Sequence, residues 1–353
     1  MEIETTEINK ICILTMGLLG DVLMVTPVIR EIKNLFNNAY IICIADKVGA
    51  EILLLNDDVD ETRVINRSRK NKFAYFKDKI STQFFILNGG FDLIIDLYGG
   101  KSANRMMMLN FIKYKIGLID GKPWSNKLPY NIVSHTGSIN NPYHITHHSF
   151  QLMNFFGRDY NHDTKPTIKT TLFDDLDMLS YFNKFGYENI FLVSFGSGGI
   201  EKILDFDKQF EIINYLYEKY KFVAVIVSNP GQEYLQDSFI KKYMISGKIP
   251  FVKLKPLNLS KIASLMKLVK FVMLPDTGLY HIAVGIKVPI LGIFTYTNPI
   301  LVVPNDGIVS ICFQEGDCKM NDFFYYGTNK IEIESLFLQV DKLLEKIHSD
   351  NMY

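Results

Sequence analysis

The sequence predicts an α/β protein made of two doubly wound parallel-sheet domains that face a central cleft. Three observations predict it. Short β-branched apolar runs alternate with segments of helical spacing along the chain, the rhythm of strand–helix–strand units. Twice, a strand-like run breaks into a short glycine turn that carries an acid and opens a helix. The first is Ile11–Met16 followed by Gly17-Leu18-Leu19-Gly20-Asp21, and the second is Phe271–Leu274 followed by Asp276-Thr277-Gly278-Leu279-Tyr280-His281. The 353 residues are also too many for one ordinary domain and suit two. A strand-to-helix turn presents bare N–H groups at the positive end of a helix dipole, a seat for phosphate or another anion.

In the first half, Lys10–Met16 reads as a buried strand and Asp21–Leu35 as a helix, through Val22, Val25, Ile29, Ile32 and Leu35. Pro27 is expected early in that helix, where its missing N–H is tolerated. Tyr40–Ala45 is a second strand, Ala50–Leu55 a short helix, and Arg63–Ile65 a third strand. Phe91–Leu97 is a strong strand, followed by Gly99-Gly100 and a helix holding Met106–Met108. Residues 117–147 read as polar and irregular, with Pro123, Pro129 and Pro142. A helix over His147–Phe156 ends at Gly157.

The second half repeats the rhythm. Strands are expected at Ile190–Phe195, Phe222–Val227, Phe271–Leu274 and Pro289–Phe294. Helices are expected at Asp207–Tyr220, Gln232–Lys242, Leu259–Leu268 and Thr277–Ile286. Ile331–Ile347 is an amphipathic helix. The polar stretch 158–186 marks the junction, which gives domains over 1–170 and 171–330 and a C-terminal segment over 331–353.

Acidic and basic residues balance at 38 each, which argues against nucleic acid as a partner. A local exception is Arg67-Ser68-Arg69-Lys70-Asn71-Lys72, with Lys77 and Lys79 beyond it. This is either a solvated basic loop or a contact for a phosphorylated acceptor or anionic lipid headgroups. Four cysteines, Cys12, Cys43, Cys312 and Cys318, suggest no disulfide framework, so a reducing cytoplasm is expected. The first residues do not resemble a signal peptide. No run of 18 apolar residues occurs, so any membrane contact is expected to be peripheral.

Several residues are candidates for chemistry. Gly17 and Gly20 permit a tight turn against a ligand. Asp21 is either a helix-capping acid or a general base aimed across a cleft. In the second turn Asp276 is expected to cap a helix, and Thr277, Gly278 and Leu279 to open it. His281 follows one turn on, either as a satisfied core histidine or as part of a sugar-diphosphate pocket. Gly196-Ser197-Gly198-Gly199 with Lys202 is either a plain loop or a pyrophosphate cradle with its compensating charge. His144, His147 and His148 lack an acid at a ligand spacing, and Cys312 and Cys318 lack partners, so no metal is expected.

Taken together, Gly-Leu-Leu-Gly-Asp-Val near residue 17, Phe-Asp-Leu-Ile-Ile-Asp-Leu near 91, the glycine turn with Lys202, and Asp-Thr-Gly-Leu-Tyr-His at 276 resemble the bacterial heptosyltransferases, glycosyltransferase family nine. The resemblance covers nearly the whole chain. It implies the GT-B fold of two Rossmann-like domains, with the acceptor on the N-terminal one and the nucleotide sugar on the C-terminal one. The last helix is then expected to pack back across the cleft.

The resemblance further implies inverting, metal-independent transfer of a heptose from ADP-heptose, a co-substrate rather than a cofactor, to lipopolysaccharide or another glycan or lipid-linked glycan. By motif position Asp21 resembles the catalytic base. Lys202, with Gly196 and Ser197 in its loop, resembles the donor-phosphate site, and Asp276, Thr277, Gly278, Leu279 and His281 resemble the donor-binding turn. Gly17, Gly20, Arg67, Arg69 and Lys70 fall to the acceptor or cleft side. Three departures surround the donor site. Ile203 and Leu204 follow Lys202 where tryptophan is common. Phe294-Thr295-Tyr296-Thr297 stands for the usual Phe-Gly-Pro-Thr turn, and Tyr280 fills a slot that is often methionine or serine. The alternatives are a nucleotide-sugar epimerase of the same fold and a non-catalytic sugar-nucleotide-binding module.

Overall fold

The computed structural model describes residues 7–66, 72–99, 101–108, 111–119, 132–135, 145–157, 165–166, 168–245, 247–299, 302–304, 309–313 and 331–349. The chain divides into two compact units, Met1–Ile168 and Lys169–Tyr353. Each is a parallel sheet with helices between its strands, as the alternating pattern predicts.

In the first unit the strands are β1 (Lys10–Leu14), β2 (Tyr40–Ala45), β3 (Glu61–Val64), β4 (Leu93–Asp96), β5 (Tyr114–Ile119) and β6 (Ile132–His135). The helices are α1 (Leu19–Leu35), α2 (Lys47–Leu53), α3 (Lys72–Asn88), α4 (Lys101–Met108) and α5 (Ile145–Phe150). The last runs into a 3-10 turn, Gln151–Phe156, which Gly157 ends in the left-handed region at φ 63°. The sheet order is β3-β2-β1-β4-β5-β6. Central β1 and β4 are buried on both faces, with Ile11, Ile13, Ile94 and Ile95 at 0% exposure, as covered parallel strands require. Asp92 and Asp96 bracket β4. The Asp92 carboxylate accepts from the N–H groups of Asn9 (2.9 Å) and Lys10 (3.0 Å), and Asp96 accepts from those of Tyr98 (2.9 Å) and Gly99 (3.0 Å).

The second unit repeats the arrangement. Its strands are β7 (Ile190–Ser194), β8 (Val223–Val227), β9 (Phe251–Lys253), β10 (Phe271–Pro275), β11 (Ile290–Ile293) and β12 (Val309–Cys312), in the order β12-β11-β10-β7-β8-β9. The helices are α6 (Leu172–Asn183), α7 (Phe206–Tyr220), α8 (Glu233–Phe239), α9 (Leu259–Met266), α10 (Gly278–Ile286) and α11 (Ile333–Ser349). The amphipathic face of α11, through Leu336, Val340, Leu343, Leu344 and Ile347, is buried in the core of this unit. Asp341 on α11 accepts hydrogen bonds from Tyr215 (2.9 Å) and Tyr220 (2.7 Å), which ties the helix to α7.

Three expectations are corrected. Residues 117–147 are not wholly irregular, since β5 and β6 lie partly or wholly within them. Lys77 and Lys79 sit on helix α3 rather than in a loop. Pro27 is the ninth residue of α1, not an early one. The helix tolerates it because the Leu23 carbonyl, which loses the N–H of residue 27, accepts the Thr26 hydroxyl at 2.7 Å. Among the described residues no helix is long and apolar enough to cross a membrane.

Candidate active site

The candidate turns leave strands at the point where each sheet reverses its order, β1 in the first unit and the adjacent pair β7 and β10 in the second. In the first unit β1 has β2 on one side and β4 on the other, and in the second β7 lies between β8 and β10. Connections from such neighbours run to opposite faces and open a crevice beyond the carboxyl ends of the strands, where ligands of open α/β sheets bind. Gly17–Asp21 follows β1, Gly196–Lys202 follows β7, and Asp276–His281 follows β10.

In the first unit Asp21 occupies the first turn of α1 and accepts the Leu18 N–H at 2.7 Å. It is only partly buried. A Cβ on Gly17 would lie 2.4 Å from the Asp21 Cβ and 2.9 Å from Oδ2. The glycine is thus required by the carboxylate folded back over it. Gly20 is the second residue of the helix. Arg67, Arg69 and Lys70 lie outside the described residues.

In the second unit four side chains converge. Lys202, at the end of the 3-10 turn Ile200–Lys202, places Nζ 2.6 Å from Asp276 Oδ2. The Thr297 hydroxyl donates to the same oxygen at 2.6 Å. His281 Nε2 stands 3.7 Å from Asp276 Oδ1, an ion-pair distance rather than a hydrogen bond. Asp276 and His281 are buried, while Lys202 keeps 23% of its side chain exposed. Burial raises the Asp276 pKa, but His281 and then Lys202 outweigh it and hold this carboxyl well below the usual carboxylate range.

Asp276 is therefore not the helix cap. Thr277 is the N-cap residue of α10, with extended backbone and no side-chain capping bond. Its hydroxyl is buried without a hydrogen-bond partner among the described residues. Gly278 and Leu279 are the first two helical residues, so they present their N–H groups at a helix start that the N-cap side chain does not cover.

The glycine turn after β7 is braced from within. Ser197 is buried, its Oγ accepts the Gly199 N–H at 3.0 Å, and its hydroxyl donates to the Gly199 carbonyl. Gln232 Nε2 donates to the Ser197 carbonyl at 2.8 Å. A Cβ on Gly196 would fall 2.6 Å from Gln232 Oε1 and 2.8 Å from Asn229 Nδ2, so Gly196 makes room for these two amides.

Sequence reasoning missed Thr295 and Thr297, in the turn after β11. The Thr295 hydroxyl donates to the Glu201 carbonyl at 2.7 Å and steadies the turn that carries Lys202, while Thr297 steadies Asp276. The one available signal was the Phe-Thr-Tyr-Thr departure itself, because its first threonine adds a hydroxyl where the resemblance leads one to expect glycine. Among the described residues no group of three or more His, Cys, Asp or Glu side chains is placed to hold a metal ion.

Comparison with known proteins agrees with this reading of the fold. The family model for glycosyltransferase family 9 (heptosyltransferase) matches residues 86–322. The lipopolysaccharide core heptosyltransferase OpsX of Haemophilus influenzae is 22% identical over 326 residues, covering 88% of this chain and 87% of that protein. A glycosyltransferase family 9 structure from Veillonella parvula is similar with a TM-score of 0.78 at 14% identity, over 96% of this chain and 97% of that one. The E. coli heptosyltransferase WaaC with ADP-2-deoxy-2-fluoro heptose is similar with a TM-score of 0.69 at 16% identity, over 94% and 99%. The family match favours the transferase over the epimerase and the binding module. The chain belongs to glycosyltransferase family 9, the heptosyltransferase family, and is a glycosyltransferase of the GT-B fold.

Proposed function

We propose that the protein transfers a heptose from ADP-heptose to a lipopolysaccharide core or related surface-glycan acceptor on the cytoplasmic side, with inversion and without a metal. The observation that carries this reading is the convergence of Lys202, Asp276, His281 and Thr297 beside the uncapped start of α10. A cation next to a helix N-terminus suits a diphosphate leaving group. Two relatives support the choice of substrates: OpsX is named a lipopolysaccharide core heptosyltransferase, and the WaaC structure holds an ADP-heptose analogue.

In this reading the second unit, with Gly196, Ser197, Lys202, Asp276, Thr277, Gly278, Leu279 and His281, binds the donor. The first unit, with Gly17, Gly20 and the basic residues Arg67, Arg69 and Lys70, takes the acceptor. The acceptor oxygen forms its bond to the anomeric carbon as the bond from that carbon to the diphosphate oxygen breaks. The nucleoside diphosphate leaves with the electron pair, and the acceptor proton passes to Asp21. A carboxylate is a weak base for an alcohol, so the proton moves late, once bonding has made the oxygen acidic. Lys202 and the N–H groups of Gly278 and Leu279 stabilise the charge on the departing diphosphate.

The test is calorimetric binding of ADP-heptose together with turnover on candidate acceptors, for the wild type and Asp21→Ala. Transfer should fall by roughly 10²–10⁴, the usual contribution of a general base, with donor affinity kept. If Asp21→Ala loses donor binding in proportion to activity, Asp21 is not the base.

A further inference from the structure

Helix α3 carries an apolar stripe on its outward side. Phe73, Phe76, Ile80, Phe84 and Leu87 are exposed, Phe73 by 80% and Phe76 by 64%, whereas Thr82 and Ile86 on the inward side are buried. At about 100° per residue the five exposed side chains fall within about 80° of arc. Phe73, Phe76 and Ile80 also line one open apolar groove with Lys77 and Ser81. A contiguous row of large apolar side chains on a protein surface marks a place where something docks.

The charges around the stripe are ordered. Lys77 lies on one flank and Lys79 on the other, where its amine sits 4.7 Å from the centre of the Tyr75 ring. Asp78 is the one acid in α3, and it is engaged away from the stripe, accepting the Asn66 N–H at 3.3 Å. The helix thus shows solvent an apolar band bordered by cations on both sides. That pattern matches a helix lying in the plane of a membrane, with its apolar face among the acyl chains and its lysines at anionic headgroups. It fits a second protein copy less well. Five side chains are far fewer than the roughly 20–30 residues per side of a standard protein interface, and flanking lysines on two copies would repel.

We infer that α3 is the membrane-docking element of this protein, lying along the surface of an anionic phospholipid leaflet. At about 1.5 Å per residue its 17 residues span about 25 Å. Docking of α3 on lipid is independent of the transfer reaction.

The test is co-sedimentation of the full chain with vesicles of phosphatidylglycerol and phosphatidylethanolamine, against vesicles of phosphatidylcholine alone. Binding is expected to the anionic vesicles and to weaken with salt. The triple variant F76S/I80S/F84S should lose roughly tenfold or more in partitioning, from the apolar area withdrawn from the acyl region. The pair K77Q/K79Q should lose about fivefold per lysine and show a flatter salt dependence. Thermal melts check that both variants fold. Should the serine variant unfold, the lysine variant carries the test alone. Equal binding of wild type and variants, or no preference for anionic vesicles, overturns the proposal. It is also overturned if sedimentation velocity shows a dimer that the serine variant abolishes while vesicles bind neither protein, because a second copy then covers the stripe.

Discussion

Lys202 Nζ lies 2.6 Å from Asp276 Oδ2, although the two residues are 74 positions apart in the chain. The cation and the carboxylate that sequence reasoning assigned separately to the donor are thus partners of each other. Their pairing follows from sheet order, because β7 and β10 are adjacent and parallel, so the turns that leave them emerge side by side. The pair fixes the ammonium where a diphosphate is proposed to sit. It also helps offset the cost of burying the carboxylate, a task that Thr297 and His281 share. A positioned cation lowers a barrier more than a mobile one, since its orientation is settled in advance.

Lys202→Met should therefore act on stability and on donor binding together. Methionine keeps much of the stem and removes the ammonium, leaving a buried carboxylate without its nearest cation. Full removal of one partner from a buried pair costs more, but Lys202 is partly exposed and Asp276 keeps two other neighbours, so about 2 kcal/mol is expected. ADP-heptose affinity should drop roughly tenfold or more through the lost charge-assisted contact. Urea unfolding and calorimetric titration of the same preparation check both. A variant that loses stability yet binds donor as well as wild type would make Lys202 purely structural.

The pH dependence of stability follows from the lowered pKa of Asp276. Its folded value lies below the unfolded value of about 4. The stabilisation is complete above that unfolded value and is lost as pH falls through the folded one. The difference in melting temperature between wild type and Asp276→Asn should shrink steadily as pH falls below about 4. Differential scanning calorimetry across that range checks it. Other paired carboxylates also titrate there, which is why the difference between the two proteins, rather than either melting curve, is the quantity to follow. A gap that widens on acidification would show that Asp276 is not held in its charged form.

The central strands were legible because burial on both faces writes itself as an uninterrupted apolar run, as in Ile11–Leu14, Phe191–Val193 and Val223–Val227. What escaped lies mostly toward the sheet edges. β6, β9 and β12 are edge strands of three or four residues, and Phe251 and Val309 in them are only partly buried. Short, half-covered strands carry little pattern. α3 escaped for a different reason. Its strongest apolar periodicity faces solvent, while its inward side is marked by Thr82 and Ile86, and the lysines in its first half continue a basic run that reads as loop. At the site the turns could be read from their glycines and acids. The contacts among Lys202, Asp276 and Thr297 could not, since they depend on which strands become neighbours.

Gly17→Ala isolates the geometry of the first turn from its chemistry. The added methyl would sit 2.4 Å from the Asp21 Cβ and 2.9 Å from its Oδ2, far inside contact distance, and the neighbour is a short side chain on a helix rather than the end of a flexible one. Either the turn opens or the carboxylate rotates away, and both break the 2.7 Å bond from the Leu18 N–H. Overpacking of this kind costs roughly 1–3 kcal/mol. The effect on transfer should be larger than that on stability, because a displaced base loses alignment, and a shift of about 1 Å can cost 10²-fold. Donor affinity should be unchanged, since the substitution lies in the first unit and the donor is proposed to bind the second. Comparing kcat, donor affinity and melting temperature of Gly17→Ala with those of Asp21→Ala checks this. If Gly17→Ala transfers at the wild-type rate while Asp21→Ala does not, the carboxylate works from a position other than the one that packs over Gly17.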